Sequence, residues 1–264
     1  MNLELTNLHV LITGGSKGIG LACARGFIAE GARVTLVSRT LATLQSAQRE
    51  LQSATPSATV NIIAADLRNA ADAERMVDAV ERDFGAVDVL VNSAGAAKRT
   101  PAAELTTDAW HDAMQAKFFT YIHVINPLIK KMGARGRGAV VNVVGAGGKV
   151  AAVTHLAGGS ANAALMLASS GLAAAYAGKG VRVNAVNPGL TLTERLQEGM
   201  QAEARQQGIS MEEALARAKA TRPLGRIAEP REIADAVVYL ASNRASYITG
   251  AVVAMDGAVT PMVV

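Results

Sequence analysis

Aromatic side chains make up only 3% of this 264-residue chain. That scarcity removes the stacking surfaces on which single-stranded nucleic acid is held. The 26 lysines and arginines are scattered among 22 acids rather than gathered in a stripe, so no nucleic-acid partner is expected despite a net charge of +4. The densest basic run, KKMGARGRG at 130–138, reads as a helix end, where cations complement the dipole. One cysteine, Cys23, excludes an intrachain disulfide and fits a reducing compartment. No apolar run approaches the roughly 20 residues of a membrane span. The N-terminal MNLELTNLHVLITGG lacks the parts of a cleavable signal. A cytoplasmic protein with no membrane partner and no metal site is the expectation.

What is present is order. LHVLIT (8–13), RVTLVS (33–38), TVNIIAA (59–65), VDVLVN (87–92), GAVVNVV (138–144), VRVNAVN (181–187) and AVVAMD (251–256) are near-continuous apolar runs. Between them lie helically periodic segments such as AERMVDAVERDF (73–84). That alternation predicts a parallel sheet of about seven strands covered on both faces, a doubly wound α/β fold of Rossmann type. The length suffices for one substantial core but not for two enzyme domains with linkers, so residues 1–264 are expected to form a single domain. One charged helical stretch, 194–221, stands outside the rhythm. It reads either as a solvated surface helix or as a substrate lid.

The first strand runs into TGGSKGIG, with Gly14, Gly18 and Gly20 spaced as GxxxGxG and Ser16, Lys17 and Ile19 between them. Between a strand and a helix, such a loop lets the backbone close on a pyrophosphate at the helix N-terminus. At the end of the second strand, where an acid would accept the ribose 2′-hydroxyl of NAD, stand Ser38 and Arg39. Ser38 repels no 2′-phosphate, and Arg39 with Lys17 can clamp one, which favours NADP over NAD.

With these residues in view, the chain resembles the classical short-chain dehydrogenases/reductases over nearly its whole length. The resemblance is carried by TGGSKGIG, Asp66-Leu67, Asn92-Ser-Ala-Gly95 with Ala94, Asn187-Pro-Gly189 with Thr193, PLGRIAEPREIA, and YITGAVVAMDG. It implies that Asp66 contacts the adenine, that Asn92 and Gly95 line the adenosine ribose, and that Pro188, Gly189 and Thr193 hold the carboxamide. It also implies a homodimer or homotetramer built from the helices carrying Lys117 and Asn162 and from the C-terminal strand. The alanine-rich 162–177 fits close helix packing.

Family members use an Asn, a Ser and a Tyr-x-x-x-Lys set. Here the serine position falls at Gly145, the tyrosine at Gly158, the lysine at Asn162 and the helix asparagine at Lys117. All four are replaced, and lysine and asparagine have exchanged helices. The chain is also similar, in Lys117, in VNVVGAGG and in the start of its GSANAAL helix, to a minor branch of the family that carries a tyrosine aligned with His155. His155, Gly158 and Asn162 fall at helical spacing, which places His155 on one face beside the volume a tyrosine ring would fill. An unperturbed histidine titrates near 6.5 and needs no neighbouring lysine. Its alternative reading is a helix cap. Lys117 reads either as an exposed mid-helix lysine or as a contact to ribose or substrate, and Asn162 as a ribose contact. The backbone amides of 145–148 read either as donors replacing the serine or as a flexible turn. The first function these residues support is an NADP-dependent oxidoreductase acting on a small-molecule carbonyl or alcohol. A non-catalytic NADP-binding protein, and a lyase or isomerase using Lys117 or His155, stand as alternatives.

Overall fold

The computed structural model describes residues 1–95 and 98–262. Seven strands, β1 (His9–Thr13), β2 (Arg33–Ser38), β3 (Val60–Ala64), β4 (Val89–Asn92), β5 (Gly138–Val143), β6 (Val181–Pro188) and β7 (Val252–Met255), form one sheet in the order β3-β2-β1-β4-β5-β6-β7. Every pairing is parallel. The apolar runs form strands because neither face is wet. In β1, Val10 and Ile12 join a core with Phe27 and Val237, while Leu11 joins the opposite core with Val77 and Ile125.

The first core packs under helices α1 (Gly18–Ala29), α2 (Leu41–Ala54) and, from the end of the chain, Pro230–Ala241. The second packs under α3 (Ala70–Phe84) and, further on, the segment after α4 (Thr107–Ala113), namely α5 (Thr120–Arg135), and α6 (Leu156–Tyr176). The basic run at 130–138 does contain a helix end, since α5 stops at Arg135 and Gly136 caps it in the left-handed conformation at φ 71°. Between α4 and α5, residues Met114–Phe119 form a π-helical turn, an irregularity often found at functional sites.

The 194–221 stretch is two helices, α7 (Glu194–Gln207) and α8 (Met211–Ala220), which share a small cluster of Met200, Ala204 and Ala214 apart from the main cores. The last helix, Pro230–Ala241, is α9. No helix among the described residues is long and apolar enough to cross a membrane.

Candidate active site

Strand order reverses between β1 and β4, and ligands of open α/β sheets bind beyond the carboxyl ends of the strands at such a point. An internal polar chain ties that edge together. Thr13 Oγ1 donates to Asn92 Oδ1 (3.2 Å), Asn92 Nδ2 to Asn142 Oδ1 (3.0 Å), Asn142 Nδ2 to Ser169 Oγ (2.9 Å), and Ser169 Oγ to Leu165 O (2.7 Å). The same Thr13 Oγ1 accepts from the N–H groups of Ser93 and Ala94. The chain fixes β1, β4, β5 and α6 relative to one another. The Asn92 side chain is therefore committed inside the protein, so only its backbone remains for a ribose.

The expected cofactor residues all lie at this edge, at the last residues of β2, β4 and β6, in the turns after β1, β2, β3, β4 and β6, and in the first turn of α1. A Cβ on Gly14, whose φ is +67°, would stand 2.8 Å from Ser93 O, and one on Gly20 would stand 2.2 Å from Gly14 O, so the loop admits backbone only. Helix α1 starts with no side-chain cap and no acid in its first turn. Its first amides and dipole thus face the loop that holds Ser16, Lys17 and Ile19. Lys17 lies 3.8 Å from Glu194, an exposed pair worth little. Ser38 Oγ bonds Thr40 O at 3.3 Å, and Arg39 is exposed. Asp66 is exposed and accepts from the Arg68 N–H, whereas Leu67 is buried, its carbonyl 2.9 Å from His123 Nδ1. Thr193 Oγ1 caps α7 by accepting from Leu196 N–H at 3.3 Å, and its methyl would meet a Cβ on Gly18.

Beside the loops opens a cleft of about 620 Å³ whose walls include Gly95, Lys117, Gly145, His155, Asn162, Pro188 and Gly189. The structure thus brings together Lys117 from one helix and His155 and Asn162 from another and its N-cap, but their settings differ from expectation. Lys117 is not an exposed mid-helix lysine. It sits in the π-helical turn, is 8% exposed, and its Nζ donates to Tyr121 OH (2.9 Å) and Val143 O (3.0 Å). The Tyr121 hydroxyl donates to the same Val143 carbonyl at 2.5 Å, and the lysine Nζ lies 4.6 Å from the centre of that ring. Burial, with a smaller push from Arg195, depresses the Lys117 ammonium from 10.5 to about 7. Burial raises the Tyr121 phenol above its ordinary value. Tyr121 was missed in the sequence. Its signal was the spacing of four residues from Lys117.

His155 is not on the face of α6. It precedes the helix with φ −135° and ψ 30°, and its ring approaches Gly147, where a Cβ would stand 3.1 Å from Cδ2. Desolvation first, then Arg99, Arg195 and Lys117, lower its pKa from 6.5, so at neutral pH the ring is uncharged. Its Nδ1 and the Asn162 Oδ1 are buried without a partner. By contrast, His9 is a satisfied core histidine, 2.8 Å from Gly85 O and 2.8 Å from Thr35 Oγ1.

The 145–148 loop is also no loose turn. The Gly145 N–H donates to Asn187 Oδ1 at 3.0 Å, which removes it as a replacement for the serine. A Cβ on Gly148 would stand 2.2 Å from Met166 Cε, and one on Gly159 2.7 Å from Gly147 O. Loop and helix meet glycine to glycine.

A glycine cradle at a strand-helix junction, at the carboxyl ends of a parallel sheet and next to a cleft, defines a dinucleotide-binding α/β protein. The chain belongs to the short-chain dehydrogenase/reductase family. The family model described as Enoyl-(Acyl carrier protein) reductase matches residues 14–260. D-threitol dehydrogenase of Mycolicibacterium smegmatis is 33% identical over 98% of this chain and 95% of its own length. L-sorbose reductase of Gluconobacter frateurii, solved with NADPH and L-sorbose, superposes with a TM-score of 0.94 at 30% identity, covering 100% of both chains. A short chain oxidoreductase of Pseudomonas aeruginosa PAO1, solved with NADPH and described as containing an atypical catalytic center, superposes at 0.88 with 30% identity over 98% of this chain and 100% of that one.

Proposed function

We propose that this chain is an NADP-dependent oxidoreductase that interconverts a carbonyl and an alcohol, with Lys117 in place of the family's tyrosine as the group that handles the proton. One observation carries the reading: a lysine amine on the cleft wall, buried and held by two protein oxygens, that titrates at about 7 instead of 10.5. When bound, the nicotinamide supplies or accepts the hydride. The chain's own residues do the rest. Two of the three ammonium protons go to Tyr121 OH and Val143 O, leaving one for a substrate oxygen. Given to the carbonyl oxygen as negative charge grows there, that proton yields the alcohol and a neutral amine, and solvent restores the ammonium. Asn162 Oδ1, buried and unpartnered, accepts from a ribose hydroxyl. His155, uncharged, orients the substrate through a ring nitrogen rather than acting as an acid. The two helices α7 and α8 close over the cleft as a lid.

The cofactor assignment has its own support. Gly14 and Gly20 admit only backbone, α1 is uncapped, and Ser38, Arg39 and Lys17 leave room and charge for a 2′-phosphate. Relatives solved with NADPH agree. Gly20→Ala places a methyl against Gly14 O and forces the loop open. NADPH affinity is expected to fall at least tenfold by fluorescence titration, on the order of 1.4 kcal/mol. Unchanged affinity would remove the loop as the phosphate cradle.

Tyr121→Phe tests the amine. Loss of the hydroxyl takes one acceptor from the ammonium, so the pH at which carbonyl reduction declines is expected to move down by about one unit. A profile that does not move would show that Tyr121 does not hold the titrating group. The reading as a whole is tested by titrating NADPH into the protein and following nicotinamide absorbance against ketones, aldehydes and quinones. Turnover supports it. Tight NADPH binding with no turnover on any of them favours a non-catalytic NADP-binding protein, for which the two internal bonds of Lys117 would be purely structural.

A further inference from the structure

We propose that the substrate is a ketone or secondary alcohol bearing an acidic group, carboxylate or phosphate, away from the reacting carbon. This rests on the oxidoreductase reading above. Lys98, Arg99, Lys117, Arg195 and Arg222 all line the cleft, and they come from three separate loops or helices besides the π turn. Asp256 is the acid on the same wall, and its carboxylate is already used: Oδ1 accepts from Ala258 N–H and Oδ2 from Thr260 N–H, each at 3.1 Å.

Several arginines outside the cleft are paired with acids. Arg25 meets Glu50, Arg68 meets Asp112, Arg135 meets Glu81 and Arg226 meets Glu232. Among the described residues no acid pairs with Lys98, Arg99 or Arg222. Arg222 Nε is moreover buried with no hydrogen-bond partner, a donor that an oxyanion would satisfy. The cations also feel one another across the cleft, since Arg99 and Arg195 push the His155 pKa down and Arg195 pushes Lys117. A cleft lined by one sign of charge concentrates ligands of the other.

The cofactor does not account for this charge. Its 2′-phosphate would meet Lys17 and Arg39, neither of which lines the cleft, and its pyrophosphate would meet the glycine loop at α1. Arg99 and Arg222 are among the cleft walls and lie away from both of those phosphate sites in the sequence.

Two matched pairs test the idea on the NADPH complex: 4-oxopentanoate against its methyl ester, and dihydroxyacetone phosphate against dihydroxyacetone. Binding is read from nicotinamide fluorescence and turnover from kcat/KM. In at least one pair the anion is expected to bind roughly tenfold better, and the pair that responds tells carboxylate from phosphate. Arg222→Gln and Arg99→Gln should each cut that preference about fivefold, Arg→Lys should restore part of it, and NADPH affinity should stay within about twofold in all of them. Equal binding in both pairs, or a preference untouched by both substitutions, overturns the proposal. Turnover without anion preference overturns it while leaving the oxidoreductase reading intact. Anion preference without turnover upholds an acidic-ligand site and sinks that reading instead.

Discussion

Lys117→Met is expected to lower kcat for carbonyl reduction by about 10² to 10⁴ while NADPH affinity stays within roughly threefold. Methionine keeps the length and apolar stem of the side chain and removes the buried amine whose pKa is depressed to about 7. The pH dependence gives the sign. Reduction needs the ammonium, so wild-type kcat/KM is expected to be level below about 7 and to fall above it, while alcohol oxidation, which needs the neutral amine, rises over the same range. In Lys117→Met both limbs should disappear. Stopped-flow single turnovers across pH would check this, because they isolate chemistry from product release. A variant that retains the wild-type limb would place the titrating group elsewhere.

The same substitution is expected to stabilise the protein. The folded lysine titrates at about 7 and the unfolded one at 10.5, so below about 7 both states carry the proton and the fold bears the whole cost of burying an ammonium. Between those values the unfolded chain holds more protons, and stability therefore rises with pH. Methionine carries no such charge. The stability advantage of Lys117→Met over wild type is thus expected to be largest near pH 6 and to shrink by about 2 to 3 kcal/mol by pH 9. Urea unfolding at the two pH values measures it. An advantage that does not change with pH would mean that Lys117 is not depressed in the native state. Activity lost and stability gained in one variant is the pattern of a functional group held against the preference of the fold.

Most of the fold was legible because its signals are local. A strand buried on both faces is apolar over most of its length, and each of the seven apolar runs coincides with a strand to within a residue or two. The glycine loop and the helix end at Arg135 were likewise readable, since turns that admit only backbone and left-handed caps leave glycine behind. The site was legible as a set of residues and not as a geometry. Periodicity of 3.6 put His155 on the face of α6, but it cannot see that the helix starts one residue later. It also cannot see the π turn, whose extra residue per turn carries Lys117 inward. Polarity argued for an exposed lysine, and only the neighbouring Tyr121, four residues on, hinted otherwise. Asn92 belongs to a hydrogen-bonded chain spanning β1 to α6, which no single stretch of sequence contains. The cations of the cleft lie as far apart as 98 and 222 in the chain, so their convergence belongs to the fold alone.

Gly145 bears on whether this loop could accept the serine that the family resemblance places there. Its φ of +134° suits glycine and strains any other residue, and a Cβ there would stand 3.1 Å from the amide nitrogen of Asn162. Serine at 145 therefore conflicts with asparagine at 162 across a loop already packed against α6 through Gly147 and Gly148. Serine introduced alone at 145 thus meets a neighbour fitted to glycine. The glycine at 145 and the asparagine at 162 form a matched pair, in which the first is expected to accept a side chain only when the second is changed too.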